Sequence, residues 1–175
     1  TEKASSFAAA SRGINSISIV DDNVIWVKAY DGTAAAVATI KEYAKSTDGG
    51  NNWTSATFTL TGGSASLGIS CITAVDANTA WVSAYPTTNA SGGIWKTVNG
   101  GTTWNKQLTA FFSDSASFAN VVYFWDANNG VCQGDPALGY FEIYTTTNGG
   151  TTWTRVPSAN IPLPADTGEY GYVNN

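Results

Sequence analysis

Histidine and methionine are absent from these 175 residues, and cysteine and arginine appear only twice each. Each shortage excludes a class of chemistry. Without histidine there is no Ser-His-Asp or Cys-His nucleophile. Without histidine and without a CxxC pair, a zinc site built on either is excluded. No phosphate-cradling glycine loop is present, and neither a metal nor a cofactor is expected. Charged residues make up 12% of the chain, against roughly 25% in an average soluble protein. The eight cations (Lys3, Arg12, Lys28, Lys41, Lys45, Lys96, Lys106, Arg155) are scattered and the net charge is −5. A surface that tracks phosphates needs concentrated positive charge, so nucleic acid is not an expected partner. No apolar run approaches the roughly 18 residues that cross a bilayer. The first residues do not read as a secretory signal. With no methionine anywhere, the expectation is a chain that starts after processing or is cut from something longer. Cys71 and Cys132 are open to two readings, a disulfide or two buried thiols, because disulfide geometry is restrictive.

What the chain has in quantity is glycine (18 residues), small polar residues and aromatics at 13%. That mixture suits many short strands joined by tight turns, with large rings filling the space between sheets. One stretch of eight residues occurs three times. It runs from Ser46 through Asp48, Gly49 and Gly50 to Trp53. It returns from Thr97 through Asn99, Gly100 and Gly101 to Trp104, and from Thr146 through Asn148, Gly149 and Gly150 to Trp153. The tryptophans lie 51 and 49 residues apart. A period near 50 marks a repeat architecture.

The units divide the chain. Residues 1–13 are a tail or a closing strand. Residues 14–60, 68–110 and 117–157 are three repeats, and 158–175, with Pro162 and Pro164, reads as the start of a further one. In the first repeat, strands are expected at 14–20, 24–30, 38–45 and 53–60, with a turn at Asp21-Asp22-Asn23. The second repeats the plan at 69–75, 79–85, 92–96 and 103–108, turning at Asp76-Ala77-Asn78. The third has 119–125, 130–135, 140–146 and 152–156, turning at Asp126-Ala127-Asn128. Val131 and Asp135 stand there where earlier repeats have tryptophan (Trp26, Trp81) and tyrosine (Tyr30, Tyr85). Four short antiparallel strands per repeat cannot bury both faces of their sheet alone. Stacking such sheets around an axis does, which gives an all-β propeller. A solenoid of hairpins is the competing geometry.

The repeated stretch joins the third and fourth strands of each unit. Its glycines supply the positive φ of a tight hairpin. The Asp or Asn and the Ser or Thr before them can bond turn N–H groups, and the tryptophan ring can fold back over the turn. The pattern Ser/Thr-x-Asp-x-Gly-x-x-Trp resembles the Asp-box, or bacterial neuraminidase repeat. It matches fully at Ser46, Asp48, Gly50 and Trp53. The other two copies match at Thr97, Gly101 and Trp104, and at Thr146, Gly150 and Trp153, with Asn99 and Asn148 in place of the acid. The resemblance implies rings of six to ten blades, as in sialidases, xyloglucan hydrolases, sortilin-like receptors, photosystem-assembly factors and bacterial surface proteins. It also implies a structural, peripheral role for these residues and a secreted or cell-surface bacterial setting. Three repeats and part of a fourth do not close such a ring. The chain is therefore expected to be an incomplete portion of a larger propeller. Assembly of several copies, or a compact ring completed by 1–13 and 158–175, are the alternatives.

The expected role is non-enzymatic binding, adhesion or assembly, with a surface protein, a glycan or other copies of the chain as partner. Sialidases of this resemblance use three arginines on the sialate carboxylate, and Arg12 and Arg155 are too few. A two-carboxylate glycosidase needs an acid and a base about 5–10 Å apart. The candidates are Asp135 and Glu142, with Asp31, Glu42 and Asp114 behind them. Tyr30, Tyr85, Trp95 and Tyr140 are candidate stacking surfaces for sugars or protein. Asn52 and Asn89 head glycosylation sequons, idle in a bacterial protein.

Overall fold

The computed structural model describes residues 4, 6–33, 40–63, 66–86, 92–112 and 118–165. Twelve strands form three four-stranded antiparallel sheets, each a meander in sequence order. Blade 1 holds β1 (Arg12–Ile19), β2 (Ile25–Asp31), β3 (Glu42–Ser46) and β4 (Thr54–Thr57). Blade 2 holds β5 (Leu67–Ala74), β6 (Ala80–Pro86), β7 (Gly93–Thr97) and β8 (Asn105–Lys106). Blade 3 holds β9 (Ala119–Phe124), β10 (Gly130–Ala137), β11 (Tyr140–Thr146) and β12 (Thr154–Arg155). The chain is an all-β, three-bladed portion of a propeller, and no solenoid of hairpins forms.

The inner strands β1, β5 and β9 lie side by side. Hydroxyls tie them: Ser18 Oγ accepts from the Ala74 N–H at 2.8 Å, and Ser70 Oγ donates to the Ala119 carbonyl at 2.6 Å. Each inner strand carries one extra residue against its partner: Asn15, Ser70 and Asn120. A bulge of this kind bends the strand and increases its twist.

Register makes the blades comparable. Trp26 opposes Lys45, Trp81 opposes Lys96, and Val131 opposes Thr145. The face carrying these residues packs onto the other face of the following blade. Blades 1 and 2 bury Trp26, Tyr43, Phe58, Ile69, Val82, Trp95 and Trp104 between them. Blades 2 and 3 bury Trp81, Ile94, Phe112, Val122, Phe124, Cys132, Tyr144 and Trp153. Trp81 stacks on Phe124 with ring centroids 3.5 Å apart and planes 11° from parallel.

The outer strands are shorter than their composition suggests. The ladder in blade 1 ends at Thr57, with one more bond from the Phe58 N–H to the Lys41 carbonyl. The chain then leaves for blade 2, where Thr61 N–H donates to the Trp104 carbonyl and Trp104 N–H donates to the Thr59 carbonyl. Residues 53–60 therefore split between two blades. The third strand of blade 1 begins at Glu42; residues 38 and 39 lie outside the described set. At the start of the chain, Arg12 and Gly13 open β1, and Ser6 bonds to Trp53 and Ser55 at the edge of blade 1. At the other end, Ser158–Asn160 is a short 3-10 turn and 161–165 form no strand; 166–175 lie outside the described residues.

Candidate functional site

The repeated turn was the first candidate, and its geometry is nearly identical in three copies. Ser46 Oγ accepts from the Gly50 N–H at 2.8 Å and donates to Asp48 Oδ1 at 2.9 Å. Thr97 and Thr146 do the same toward Gly101 and Asn99, and toward Gly150 and Asn148. The side-chain oxygen of residue 48, 99 or 148 then accepts from the N–H four positions on, at 2.8, 3.0 and 2.9 Å. Asparagine supplies that oxygen as well as aspartate. Asp48 also takes the Asn52 amide at 2.7 Å. These bonds, with those from Ser46, hold its carboxyl down to about 2. The paired glycines have φ near +70° and +85°, a region costly for a side chain. The one carboxylate of the stretch, Asp48, is spent on bonds within the hairpin.

The tips are latched twice. Within a blade, Gly49, Gly100 and Gly149 donate to the carbonyls of Asn23, Asn78 and Asn128 in the first turn. That turn is held by Asp21, Asp76 or Asp126, whose Oδ1 accepts two N–H bonds at 2.6–2.8 Å. Between blades, the Trp–Lys pair reaches forward. Lys45 Nζ lies 4.5 Å from the Trp26 ring centroid and donates to Ala77 O and Gly100 O at 2.7 and 3.3 Å. Trp26 Nε1 donates to Asp76 O at 3.1 Å. Lys96 Nζ lies 4.9 Å over Trp81, and both donate to Gly149 O, at 2.9 and 3.3 Å. The sequence shows these residues but not that they address the next repeat.

The tryptophan that ends each stretch serves two purposes. Trp53 folds back, its Nε1 donating to Gly50 O at 3.1 Å. Trp104 and Trp153 are buried against the preceding blade, and their indole N–H groups have no partner.

The two carboxylates proposed for catalysis are engaged. Asp135 is an extra residue in β10, not a turn residue. It is buried, its N–H donates to Phe118 O, and its Oδ1 takes the Asn120 amide at 2.6 Å. Glu142 is buried in β11. Its Oε1 lies 3.0 Å from Arg155 and accepts from Tyr144 OH at 3.2 Å. Burial, then the Glu142 charge, pushes the Tyr144 hydroxyl up to about 12. The other arginine, Arg12, pairs with Asp31 at 2.7 Å and Glu42 at 3.0 Å. Asp114 and Asn89 lie outside the described residues.

Of the stacking candidates, Trp95 is corrected: it is fully buried, with Lys106 5.1 Å from its centroid and its Nε1 donating to Thr61 O. Tyr140 lies under Arg155, and Tyr85 is half-buried beside Phe118. Tyr30 remains exposed, its ring lying where a Cβ on Gly13 would be. The cysteines are two free buried thiols. Cys71 Sγ points to the Val122 carbonyl at 3.6 Å, while Cys132 sits within the core between blades 2 and 3. Burial pushes both thiols up. Among the described residues no group of three His, Cys, Asp or Glu is placed to hold a metal, and no helix is long and apolar enough to cross a membrane.

A concave feature lies elsewhere. A groove of about 390 Å³ opens where the three inner strands end. It is lined by Ser18 and Val20 of blade 1, Thr73 and Asp76 of blade 2, and Tyr123 and Trp125 of blade 3, with their neighbours. Tyr123 and Trp125 are 51% and 63% exposed, with rings edge to face at 5.7 Å. Sequence reasoning missed both because their strand alternation matched that of core positions.

No protein-family model matches the chain, and no curated protein matches it. Among solved structures it is similar to YCF48 bound to D1 peptide, at 15% identity over 87% of this chain and 42% of that one, with a TM-score of 0.56. It is similar to YCF48 from Cyanidioschyzon merolae at 18%, over 83% and 40%, with a TM-score of 0.51. It is also similar to an ancestral GH74 enzyme at 17%, over 83% and 20%, with a TM-score of 0.58. The chain thus spans about two fifths of the YCF48 chains and one fifth of the GH74 chain. What these likenesses establish is the fold, a β-propeller of which this chain forms three blades.

Proposed function

We propose that the chain is a binding portion of a secreted or cell-surface Asp-box propeller, without enzymatic activity, whose partner is a protein or a glycan. The observation that carries this reading is the groove at the ends of the inner strands, where two aromatic rings stand open. Asp135 and Glu142, by contrast, are buried, hydrogen-bonded to Asn120 and Tyr144, and Glu142 is ion-paired with Arg155. That one similar structure, YCF48, is bound to a D1 peptide is in keeping with a protein partner. The test is reducing-sugar release from a polysaccharide panel beside binding to glycan and peptide arrays. The expected result is binding that Trp125→Ala abolishes, with no release. Sugar release that collapses in Asp135→Ala would overturn it in favour of a glycoside hydrolase portion.

A second reading is head-to-tail association of copies. It is favoured by the open outward face of blade 1, where Ile17 and Ile19 are 52% and 72% exposed. Their register equivalents in blade 2, Ile72 and Ala74, are buried. Light scattering tests it: a monodisperse monomer at high concentration sinks it, and oligomers that Ile19→Lys dissolves support it.

A further inference from the structure

We propose that the groove at the ends of β1, β5 and β9 receives an arginine or lysine side chain of a partner polypeptide. This inference rests on the reading of the chain as a binding module and names what the groove holds. Within the chain, four cations lie over aromatic rings. Lys45 lies over Trp26, Lys96 over Trp81, Lys106 over Trp95 and Arg155 over Tyr140. In the first two pairs the ammonium also reaches backbone carbonyl oxygens of the next blade. Ring face plus oxygen acceptors is a recognised cation site, strongest where water is partly excluded.

Blade 3 breaks the series. Val131 and Thr145 occupy the Trp–Lys register positions, so the blade supplies no cation of its own there. Its rings are instead Tyr123 and Trp125, open to the groove, and among the described residues their ring contact is with each other. The charged residues in the groove lining are Asp76 and Asp126. Hydrogen bonds from Asn129 and Asn128 hold the Asp126 carboxyl below its ordinary range, so it is an anion at neutral pH. Asp76 is exposed and uses Oδ1 for the turn, and its charge also acts on Lys45 of blade 1, outside the lining. Thr73, 4% exposed, adds a hydroxyl side chain to the same lining. Two carboxylates and open rings in a groove whose lining residues include no cation together complement a guanidinium or an ammonium. A neutral sugar would use the rings but would gain little from the charges.

Three probes separate the possibilities by calorimetry on the full chain: capped Gly-Arg-Gly-Arg-Gly, the same peptide with citrulline for arginine, and cellohexaose. The arginine peptide is expected to bind and the citrulline peptide to bind at least tenfold more weakly. The affinity should fall several-fold between 50 and 300 mM salt, as roughly expected for partly exposed charges. Trp125→Ala and the pair Asp76→Asn with Asp126→Asn are each expected to weaken it at least fivefold. The asparagines keep the turns, as Asn99 and Asn148 keep theirs, and circular dichroism checks the fold. Equal binding of the two peptides, no binding of the arginine peptide, or affinity unchanged by both variants overturns the proposal. If cellohexaose alone binds, and Trp125→Ala removes it, the binding-module reading stands and the cationic occupant falls.

Discussion

The two junctions between blades and the open face of blade 3 use the same register positions for different ends. At the junctions, Trp26 and Trp81 are fully buried, each beneath a lysine from the adjacent strand that holds the next blade's turn. On blade 3 the equivalent pair is Val131 and Thr145, and the large rings have moved one strand inward, to Tyr123 and Trp125. The difference teaches that a repeat unit is not one set of contacts. Its turn is fixed by the unit's own sequence, while its face is specialised by what it meets.

The largest effect that should break this comparison is Trp81→Ala. Removing a ring stacked on Phe124 opens a cavity, and a cost of about 3–5 kcal/mol is expected in denaturant unfolding. Trp125→Ala, on the open face, should stay within about 0.5 kcal/mol in the same assay. Equal losses would erase the distinction between the faces.

A gain is expected next, from Lys28. It is 4% exposed, and burial pushes its ammonium down to about 8 against a smaller opposing interaction with Cys71. The unfolded chain holds that proton up to the ordinary lysine range, so the penalty is complete below pH 8. It fades as pH rises toward 10.5. Lys28→Met should therefore stabilise the chain by about 1–3 kcal/mol at pH 7, with a gain that shrinks by pH 10. A loss at pH 7 would mean that the ammonium has a favourable role. Ser83 and Gln133 hold the equivalent positions, so the cost belongs to the first junction alone.

Smaller again is Lys96→Met, which removes a cation over Trp81 and a bond to Gly149 O. A loss of about 1–2 kcal/mol is expected by chemical denaturation. Thr145→Lys, which restores the lysine on blade 3 with no facing turn to hold, should change nothing measurable.

The smallest effect separates the turns. Asp48 is held low by hydrogen bonds that its ionised form accepts. Its stabilisation is present above the ordinary aspartate range and is lost as pH falls from about 4 toward 2. Asn99 and Asn148 do not titrate. Asp48→Asn should lower the melting temperature slightly at pH 6 and not at pH 2, and an equal effect at both would show that the charge is idle.

Much of the fold was legible because a turn is local. Gly49-Gly50 after Asp48, and the same spacing at 100 and 149, specify a hairpin without help from the rest of the chain. The alternation of residues 25–30 placed Trp26 and Lys28 on one face, as the structure has them. What was not legible is long-range. Nothing near Lys45 announces that its ammonium ends on carbonyls 32 and 55 residues away. Nothing near Thr57 announces that the strand stops there and the chain pairs with Trp104. Glu142 gives no local sign of Arg155, and the groove exists only because residues from three repeats converge.

The forward reach of the Trp–Lys pair gives the protein a grammar. One side of blades 1 and 2 presents donors, Nε1 and Nζ, and the blade that follows presents the carbonyls that receive them. Units can therefore be joined in one direction only, and the smallest segment that can be copied and inserted without scrambling a junction is a whole period. A duplication of part of a period would leave donors without the carbonyls they reach. The spacing of 51 and 49 residues between the tryptophans is thus the length of a module, the quantum in which such a chain can grow.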